Sequence, residues 1–335
     1  MLNQIRVNFK FLPTPVAGLA LGISSLGALW ESVYSFNGYI QTATAIVAAG
    51  ILFSLLLRFI IHPQTLWSDL SHNIIGSVIP TFAMATMVVS NSLLTSSPAL
   101  STVIWLAAIV VHLVFMMMFL YHRFQDMQLK HMLPSWFVPP IGLIVAVFTC
   151  PQPEKFESIC YGILIFGMVN YAILLPVMLN RLIFGEKVPT GAKPSIALIA
   201  APASVCLVGY LAFVSQPSPI IVAVLFGIAL LMTLVTYIAL LHLSSLTFTP
   251  AFSAFTFPLV VSAKGVFSTE GWFVSAGIAE QYISQLHIVA LFELWGATAV
   301  VSWVSVGYIK HFIVKLRAMY IAHKITTNHS VSRTL

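Results

Sequence analysis

Charged residues are scarce in this sequence. Only 7% of its 335 residues are Asp, Glu, Lys or Arg, whereas soluble domains usually carry about 25%. Hydrophobic residues make up 59% of the chain, and no polar connection is long enough to form a soluble catalytic domain. A Gly-x-x-x-x-Gly-Lys-Ser/Thr phosphate loop is also absent from the sequence, which argues against pumping driven by ATP. The composition indicates an integral membrane protein.

Residue clusters that bind metals or act as nucleophiles are lacking as well. The three cysteines, Cys150, Cys160 and Cys206, have neither metal-ligand spacing nor an even count. Ten histidines are scattered without a His-Glu-x-x-His pattern. We therefore expect buried thiols and histidines near helix ends, and we predict no metal, no cofactor and no enzymatic activity.

Long apolar runs occupy the rest of the chain, and each one is long enough to cross the bilayer as a helix. We count ten, at about 13–31, 40–61, 72–91, 98–120, 134–150, 158–180, 194–214, 219–242, 250–267 and 286–310. The predicted fold is all-α, a single transmembrane domain over residues 1–335. It is organised as helical hairpins at about 13–61, 72–120, 134–180, 194–242 and 250–310, followed by a short basic tail at 311–335.

The net charge of +6 is distributed as a membrane topology requires, and it gives no reason to expect a nucleic-acid partner. With a cytoplasmic N-terminus and an even number of crossings, only Lys155 and Lys264 fall outside the inner side. The other thirteen basic residues are Arg6, Lys10, Arg58, Arg123, Lys130, Arg181, Lys187, Lys193, Lys310, Lys315, Arg317, Lys324 and Arg333. The positive-inside bias predicts that both termini are cytoplasmic.

Prolines recur at a spacing of about one hairpin. Each odd-numbered run carries one inside it or near its start, at Pro15, Pro80, Pro139 with Pro140, Pro202 and Pro258, whereas the even-numbered runs carry just one internal proline, Pro176. A proline opens the backbone ladder and bends a helix, and the freed groups are tolerated in a bilayer only against protein or water. The pattern predicts five parallel hairpin repeats whose kinked odd helices line a central pore.

Ionisable residues are nearly absent from the predicted helices. Lys264 and Glu293 both lie toward the predicted external third, where they form either a structural ion pair or, if Lys264 faces the axis, an outer-mouth charge that attracts anions. No arginine lies at mid-membrane to bind a dicarboxylate tightly. This absence favours weak binding and fast passage, which are typical of a channel.

A segment in the ninth run, "SAFTFPLVVSAKG", places two phenylalanines beside a proline. Phe255 and Phe257 lie about 200° apart around a helix, so at most one of them faces the pore axis. A phenyl ring held beside Pro258 on an inner helix can close a conduit as an apolar plug.

The chain resembles the tellurite-resistance/dicarboxylate transporter family, which includes bacterial TehA, the plant slow anion channels, fungal malate permease and sulfite efflux proteins. The resemblance covers all ten runs, and its local signatures are "SAFTFPL" and "LPTPVAGLALG". It implies a central pore closed by Phe257, a homotrimer in the inner (plasma) membrane and small inorganic or organic anions as substrates. Pro258 stands where TehA has glycine, as in the plant channels, but the long phosphorylated tails of those channels are missing.

Two hypotheses of function follow. The first is an anion channel of the TehA or slow-anion-channel type, gated by a phenylalanine in each protomer. The alternative is a proton-coupled secondary carrier that exports malate, sulfite or tellurite-like oxyanions. A carrier needs a titratable group in its path, and the sequence offers only Lys264, Glu293 and His112.

Overall fold

A computed structural model describes residues 12–125 and 128–331, and regular secondary structure in this part of the chain is entirely helical. Arg6, Lys10 and Arg333, counted above among the inner basic residues, lie outside the described residues. The α-helices are α1 (Val16–Tyr34), α2 (Tyr39–Ile61), α3 (Pro63–Ser71), α4 (Ile75–Val78), α5 (Thr81–Asn91), α6 (Pro98–Gln125), α7 (Val138–Ile141), α8 (Val145–Phe148), α9 (Glu157–Phe184), α10 (Ala200–Phe213), α11 (Pro219–Leu243), α12 (Thr256–Ser275) and α13 (Glu280–Val331). Short 3₁₀ helices cover Leu129–His131, Pro134–Phe137, Gly142–Ile144, Thr190–Ile199 and Pro250–Phe255.

Eight helical stretches in the described residues are long and apolar enough to cross a membrane, and the prediction of a multi-pass all-α membrane protein is confirmed at this level. A ninth is obtained if α3 and the stretch Ile75–Asn91 are counted as one broken span, with a bend of 104° between them. The predicted fifth run is an apolar chain of short helices, Pro134–Phe148, which is shorter than the others.

The odd-numbered stretches are more deeply buried than the even-numbered ones. Between 50% and 72% of the most apolar segment is buried in α1, Thr190–Phe213 and Pro250–Ser275. In the helices of the five even-numbered runs, which are α2, α6, α9, α11 and α13, only between 28% and 39% of this segment is buried. The helices α2, α6, α9, α11 and α13 expose large apolar side chains, among them Phe53, Val110, Ile173, Leu234 and Phe292. Such a surface suits lipid, so the proline-bearing stretches form the inner layer of the molecule and the other helices surround them.

The prolines of the inner layer begin α-helical segments, and the expectation that they bend long α-helices is wrong. Pro15 and Pro80 are the N-cap residues of α1 and α5. Pro139 lies in the first turn of α7, while Pro202 and Pro258 are the third residues of α10 and α12. Proline is accommodated there because the first turn of an α-helix needs no donor from its N–H group.

What precedes three of these prolines is 3₁₀ helix. The chain runs as 3₁₀ helix through Pro134–Phe137, Thr190–Ile199 and Pro250–Phe255 before each switch to α-helix. A 3₁₀ helix is narrower and longer per residue than an α-helix. These three inner stretches are therefore composite helices that change from 3₁₀ to α helix shortly before the proline.

Two features were not predicted from the sequence. The amphipathic helix α3 precedes the third apolar run, and its Trp67 is exposed. The last helix, α13, continues to Val331, so the segment predicted as a basic tail is helical as far as that residue.

Three buried arginines near the ends of α2, α6 and α9 bind neighbouring segments of the chain through hydrogen bonds. Arg58 of α2 donates to Thr14 at 2.6 Å and to Asp69 at 2.8 Å. Arg123 of α6 donates to the carbonyl oxygen of Ser71, and Arg181 of α9 donates to those of Glu186 and Lys130. The three positions recur at the hairpin spacing, which supports the interpretation of the chain as repeats.

Candidate functional site

Three cavities lie one after another in the inner layer. The first, of about 80 Å³, is lined only by residues of the five proline-bearing stretches. Its walls include Gly18 of α1, Thr81 of α5, Ile141 of α7, Pro202 of α10 and Phe257 of α12. Apolar side chains dominate the lining, and none of the residues that form it is charged.

The second cavity, of about 40 Å³, adjoins the first one. Phe257 lines both cavities, and it is the one residue common to the two linings. The lining of the second cavity contains four polar side chains, which belong to Ser25, Asn91, Thr149 and Lys264. The ring of Phe257 is therefore placed between a larger apolar cavity and a smaller, more polar one.

The third cavity, of about 380 Å³, shares Phe148 and Lys264 with the second. Its remaining lining comes from α10, the connection that follows α10, and the second half of α12, with Ser268 and Trp272 among the residues. Lys264 is the only charged residue in the linings of all three cavities. The series of cavities thus has one fixed charge, which lies beyond Phe257.

Phe257 is held where α12 crosses α1. The hydroxyl of Thr256 donates to the carbonyl oxygen of Gly18 at 3.0 Å, which ties the two segments together. A Cβ atom added at Gly22 would lie 3.3 Å from the backbone nitrogen of Phe257 and 2.6 Å from the Thr256 hydroxyl. Only glycine permits this approach, and so the backbone of α1 fixes the position from which the Phe257 ring projects.

Phe255 has a different environment, as its angle around the helix predicts. Its side chain is fully buried and stacks on Phe252 at a centroid distance of 6.0 Å. It lines none of the three cavities. Phe255 therefore belongs to the core between α12 and its neighbours.

The structure does not bring Lys264 and Glu293 together, and within the described residues no ion pair joins them. The ammonium of Lys264 lies over the ring of Phe148, at 4.9 Å from its centroid. Glu293 is buried behind α12, beside the side chains of Ser262 and Tyr237. The predicted ion pair is therefore not seen, and the predicted role of Lys264 as an outer-mouth charge stays a prediction.

His112 lines none of the three cavities, and its side chain instead binds the fifth stretch, Pro134–Phe148. Its Nε2 donates to the carbonyl oxygen of Pro139 at 2.8 Å, and since a carbonyl only accepts, Nε2 carries the proton. Trp105, two turns earlier on the same face of α6, donates in the same way to the carbonyl oxygen of Ala146 at 3.0 Å. Both side chains satisfy carbonyls beside the 3₁₀ segment Gly142–Ile144, which is a structural task.

A series of cavities in the inner layer of a helical membrane protein, with a phenylalanine between two of them, suits a transport protein. The sequence pattern of the voltage-dependent anion channel family matches residues 13–308, which is most of the chain. The chain belongs to this family. It is also 24% identical over 230 residues to an uncharacterized transporter of Methanocaldococcus jannaschii, covering 62% of this chain and 67% of that protein. A second uncharacterized transporter of the same organism is 24% identical over 178 residues, and the match spans only about half of each chain, 49% of this one and 51% of the relative.

The sequence did not single out Ser25, Asn91 or Phe148, although all three line the second cavity. Each lies in the second half or at the end of an inner stretch, where a polar or aromatic residue at the end of an apolar run looks like an ordinary interfacial residue. Only the packing of α1, α5, α8 and α12 around one cavity distinguishes them.

Proposed function

We propose that each chain conducts small anions through the three cavities and that the Phe257 ring closes this pathway. The proposal rests on the position of Phe257 in the linings of both the first and the second cavity. An apolar ring at such a constriction excludes hydrated ions, because an ion there loses its water without gaining a partner. Membership of an anion channel family supports anions as the transported species.

The pathway requires the remaining topology to follow the predicted plan. We propose ten crossings, with the short chain Pro134–Phe148 as the fifth and the five inner stretches around a central pore. The basic residues then lie on the cytoplasmic side together with both termini, in the plasma membrane. A reporter enzyme fused to the C-terminus tests this orientation. Activity of a reporter that works only in the cytoplasm would support it, and activity of a reporter that works only outside the cytoplasm would contradict it.

Three chains form the assembly in this proposal, as the resemblance to TehA implies. The exposed apolar faces of α2, α6, α9, α11 and α13 provide surface for contact between protomers. Native mass spectrometry of the detergent-solubilised protein would give a mass three times that of the 36.6 kDa chain. If the protein is a monomer and conducts, the proposed trimer is wrong, but the proposed pathway within each chain stands.

The proton-coupled carrier now depends on one residue. Of the three titratable candidates, Lys264 lines the cavities, whereas Glu293 and His112 are packed outside the linings. Exchange of malate or sulfite that saturates at low concentration and follows the proton gradient would favour the carrier. Its dependence on Lys264 would then be the next measurement.

Current across planar bilayers tests the pathway directly. Purified wild type and Phe257→Ala are compared at equal incorporation, with chloride, nitrate and malate in turn. The proposal expects a large, non-saturating anion current in Phe257→Ala and little in wild type. Equal currents in the two proteins would contradict the assignment of Phe257 as the gate.

A further inference from the structure

The second cavity is chemically unlike its neighbours. It lies between Phe257 and Phe148, and four of its ten lining residues are polar: Ser25, Asn91, Thr149 and Lys264. A small number of convergent polar groups in an otherwise apolar cavity is the usual composition of a ligand site. The two aromatic rings limit the space in which a ligand can sit.

The charge in this cavity has no acidic partner. Within the described residues, the recorded contact of the Lys264 ammonium is with the face of Phe148, and no carboxylate forms an ion pair with it. A phenyl face attracts a cation but accepts no strong hydrogen bond, so the ammonium keeps its N–H donors. A cation at membrane depth without a counter-charge attracts an anion strongly.

Two neutral donors accompany the ammonium. The hydroxyl oxygen of Ser25 is buried and has no hydrogen-bond partner in the structure. Asn91 uses its carbonyl oxygen to accept from Gln41 at 3.3 Å, which leaves its NH₂ group as a donor. Thr149 is different, because its hydroxyl already donates to the carbonyl oxygen of Val145 at 2.8 Å.

We propose that the second cavity is an anion-binding site formed by the Lys264 ammonium, the Ser25 hydroxyl and the Asn91 amide. This inference deepens the proposed function and rests on it, since it places the site on the pathway directly beyond the Phe257 ring. One ammonium balances one negative charge, so the site takes a single monovalent anion. A dianion would keep one charge unbalanced in a cavity whose other walls are apolar.

Equilibrium binding tests the site without any need for conduction. Line broadening of the ³⁵Cl resonance is titrated with purified wild type in detergent, and nitrate or sulfate is added as competitor. We expect saturable broadening that nitrate displaces and sulfate does not. Lys264→Gln should weaken chloride binding at least about tenfold, and Ser25→Ala by a few-fold to about tenfold, as expected for a hydrogen bond to a charged group.

Two controls make the result specific. Lys155 also lies over a phenylalanine ring, Phe156 at 5.5 Å, but it is exposed outside the cavities, so Lys155→Gln should bind chloride as wild type does. Lys264→Arg keeps the charge and should keep most of the binding. If Lys264→Gln aggregates, Ser25→Ala and Lys264→Arg still give the comparison.

The site and the gate can fail separately. If Phe257→Ala conducts, but chloride binding is absent or does not change when Lys264 or Ser25 is substituted, the proposed site is wrong and the pathway stands. If binding depends on Lys264 while Phe257→Ala carries no current, the site stands and the proposed gate is wrong. Displacement by sulfate as effective as by nitrate would overturn the assignment to monovalent anions.

Discussion

Phe257 and Lys264 face the same cavity from one helix. They are seven residues apart in α12, so their side chains project within about 20° of one another and about 10 Å apart along the axis. Both line the second cavity, Phe257 at its border with the first and Lys264 at its border with the third. One rigid helix therefore carries both the proposed gate and the one charge of the pathway.

The size of the side chain at position 257 should set the conductance. Phe257→Leu should pass less anion current than Phe257→Ala and more than wild type, because the closing group becomes progressively smaller. Single-channel currents in symmetrical chloride measure this order. Conductance that does not follow side-chain volume would argue against a steric and dewetting barrier at this position.

The control for that series follows from the burial of Phe255. Phe255→Ala is unsuitable as a silent change, because the side chain is fully buried against Phe252. Its truncation to alanine would cost about 3 to 5 kcal/mol. Phe255→Leu removes less volume and should leave the closed state unchanged, so an increase in current in this variant would show that the core, and not the ring at 257, controls closure.

Reversal of the charge at position 264 should reverse the ion preference. In the Phe257→Ala background, Lys264→Glu places a carboxylate at the border of the second and third cavities and should favour cations over anions. The reversal potential in a chloride gradient is the measurement, and Lys155→Glu is the matched change outside the cavities. A reversal potential that stays at the anion limit in both variants would mean that Lys264 does not face the permeating ions.

A methyl group at Gly22 should disturb the crossing of α1 and α12. The added Cβ would lie 2.6 Å from the Thr256 hydroxyl and 3.3 Å from the Phe257 nitrogen, so Gly22→Ala should destabilise the fold by about 1 to 3 kcal/mol. Gly50→Ala is the control, because a Cβ at Gly50 meets no atom within 4 Å and alanine favours the helix. The apparent melting temperature in detergent should fall for Gly22→Ala alone. Equal melting temperatures would contradict the close approach of the two helices.

Neutralising Glu293 should leave anion flux nearly unchanged. Its carboxyl group is packed beside Ser262 and Tyr237, behind the helix that lines the pathway. Glu293→Gln keeps its shape and hydrogen bonding, and in the Phe257→Ala background chloride efflux from liposomes should stay within about twofold of Phe257→Ala alone, a change below about 0.4 kcal/mol. His112→Gln, which retains a donor toward Pro139, should behave alike. Loss of proton-driven uptake in either variant would instead favour the coupled carrier.

The long apolar runs, the proline rhythm and the deeper burial of the proline-bearing stretches were readable in the sequence, because each has a periodic signal along the chain. The number of long helices was not. The fifth run is a series of short helices, and its 3₁₀ segment Gly142–Ile144 depends on donors such as His112 from another helix. The effect of Pro258 was also misjudged, since a proline looks the same in a sequence whether it bends an α-helix or begins one after a 3₁₀ helix.

The sequence by itself determined that this is a membrane protein and that its apolar runs contain almost no ionisable residues. The helical angle showed only that Phe255 and Phe257 cannot share one face, and the family resemblance implied Phe257 as the residue to examine. Hydropathy, charge count and helical angle are properties of the chain alone. The tertiary structure decided that Lys264 turns toward the cavities and Glu293 away from them, and that Ser25 and Asn91 join Lys264. Those relationships depend on which faces of separate helices meet, and residues more than 60 positions apart carry no local signal of that meeting.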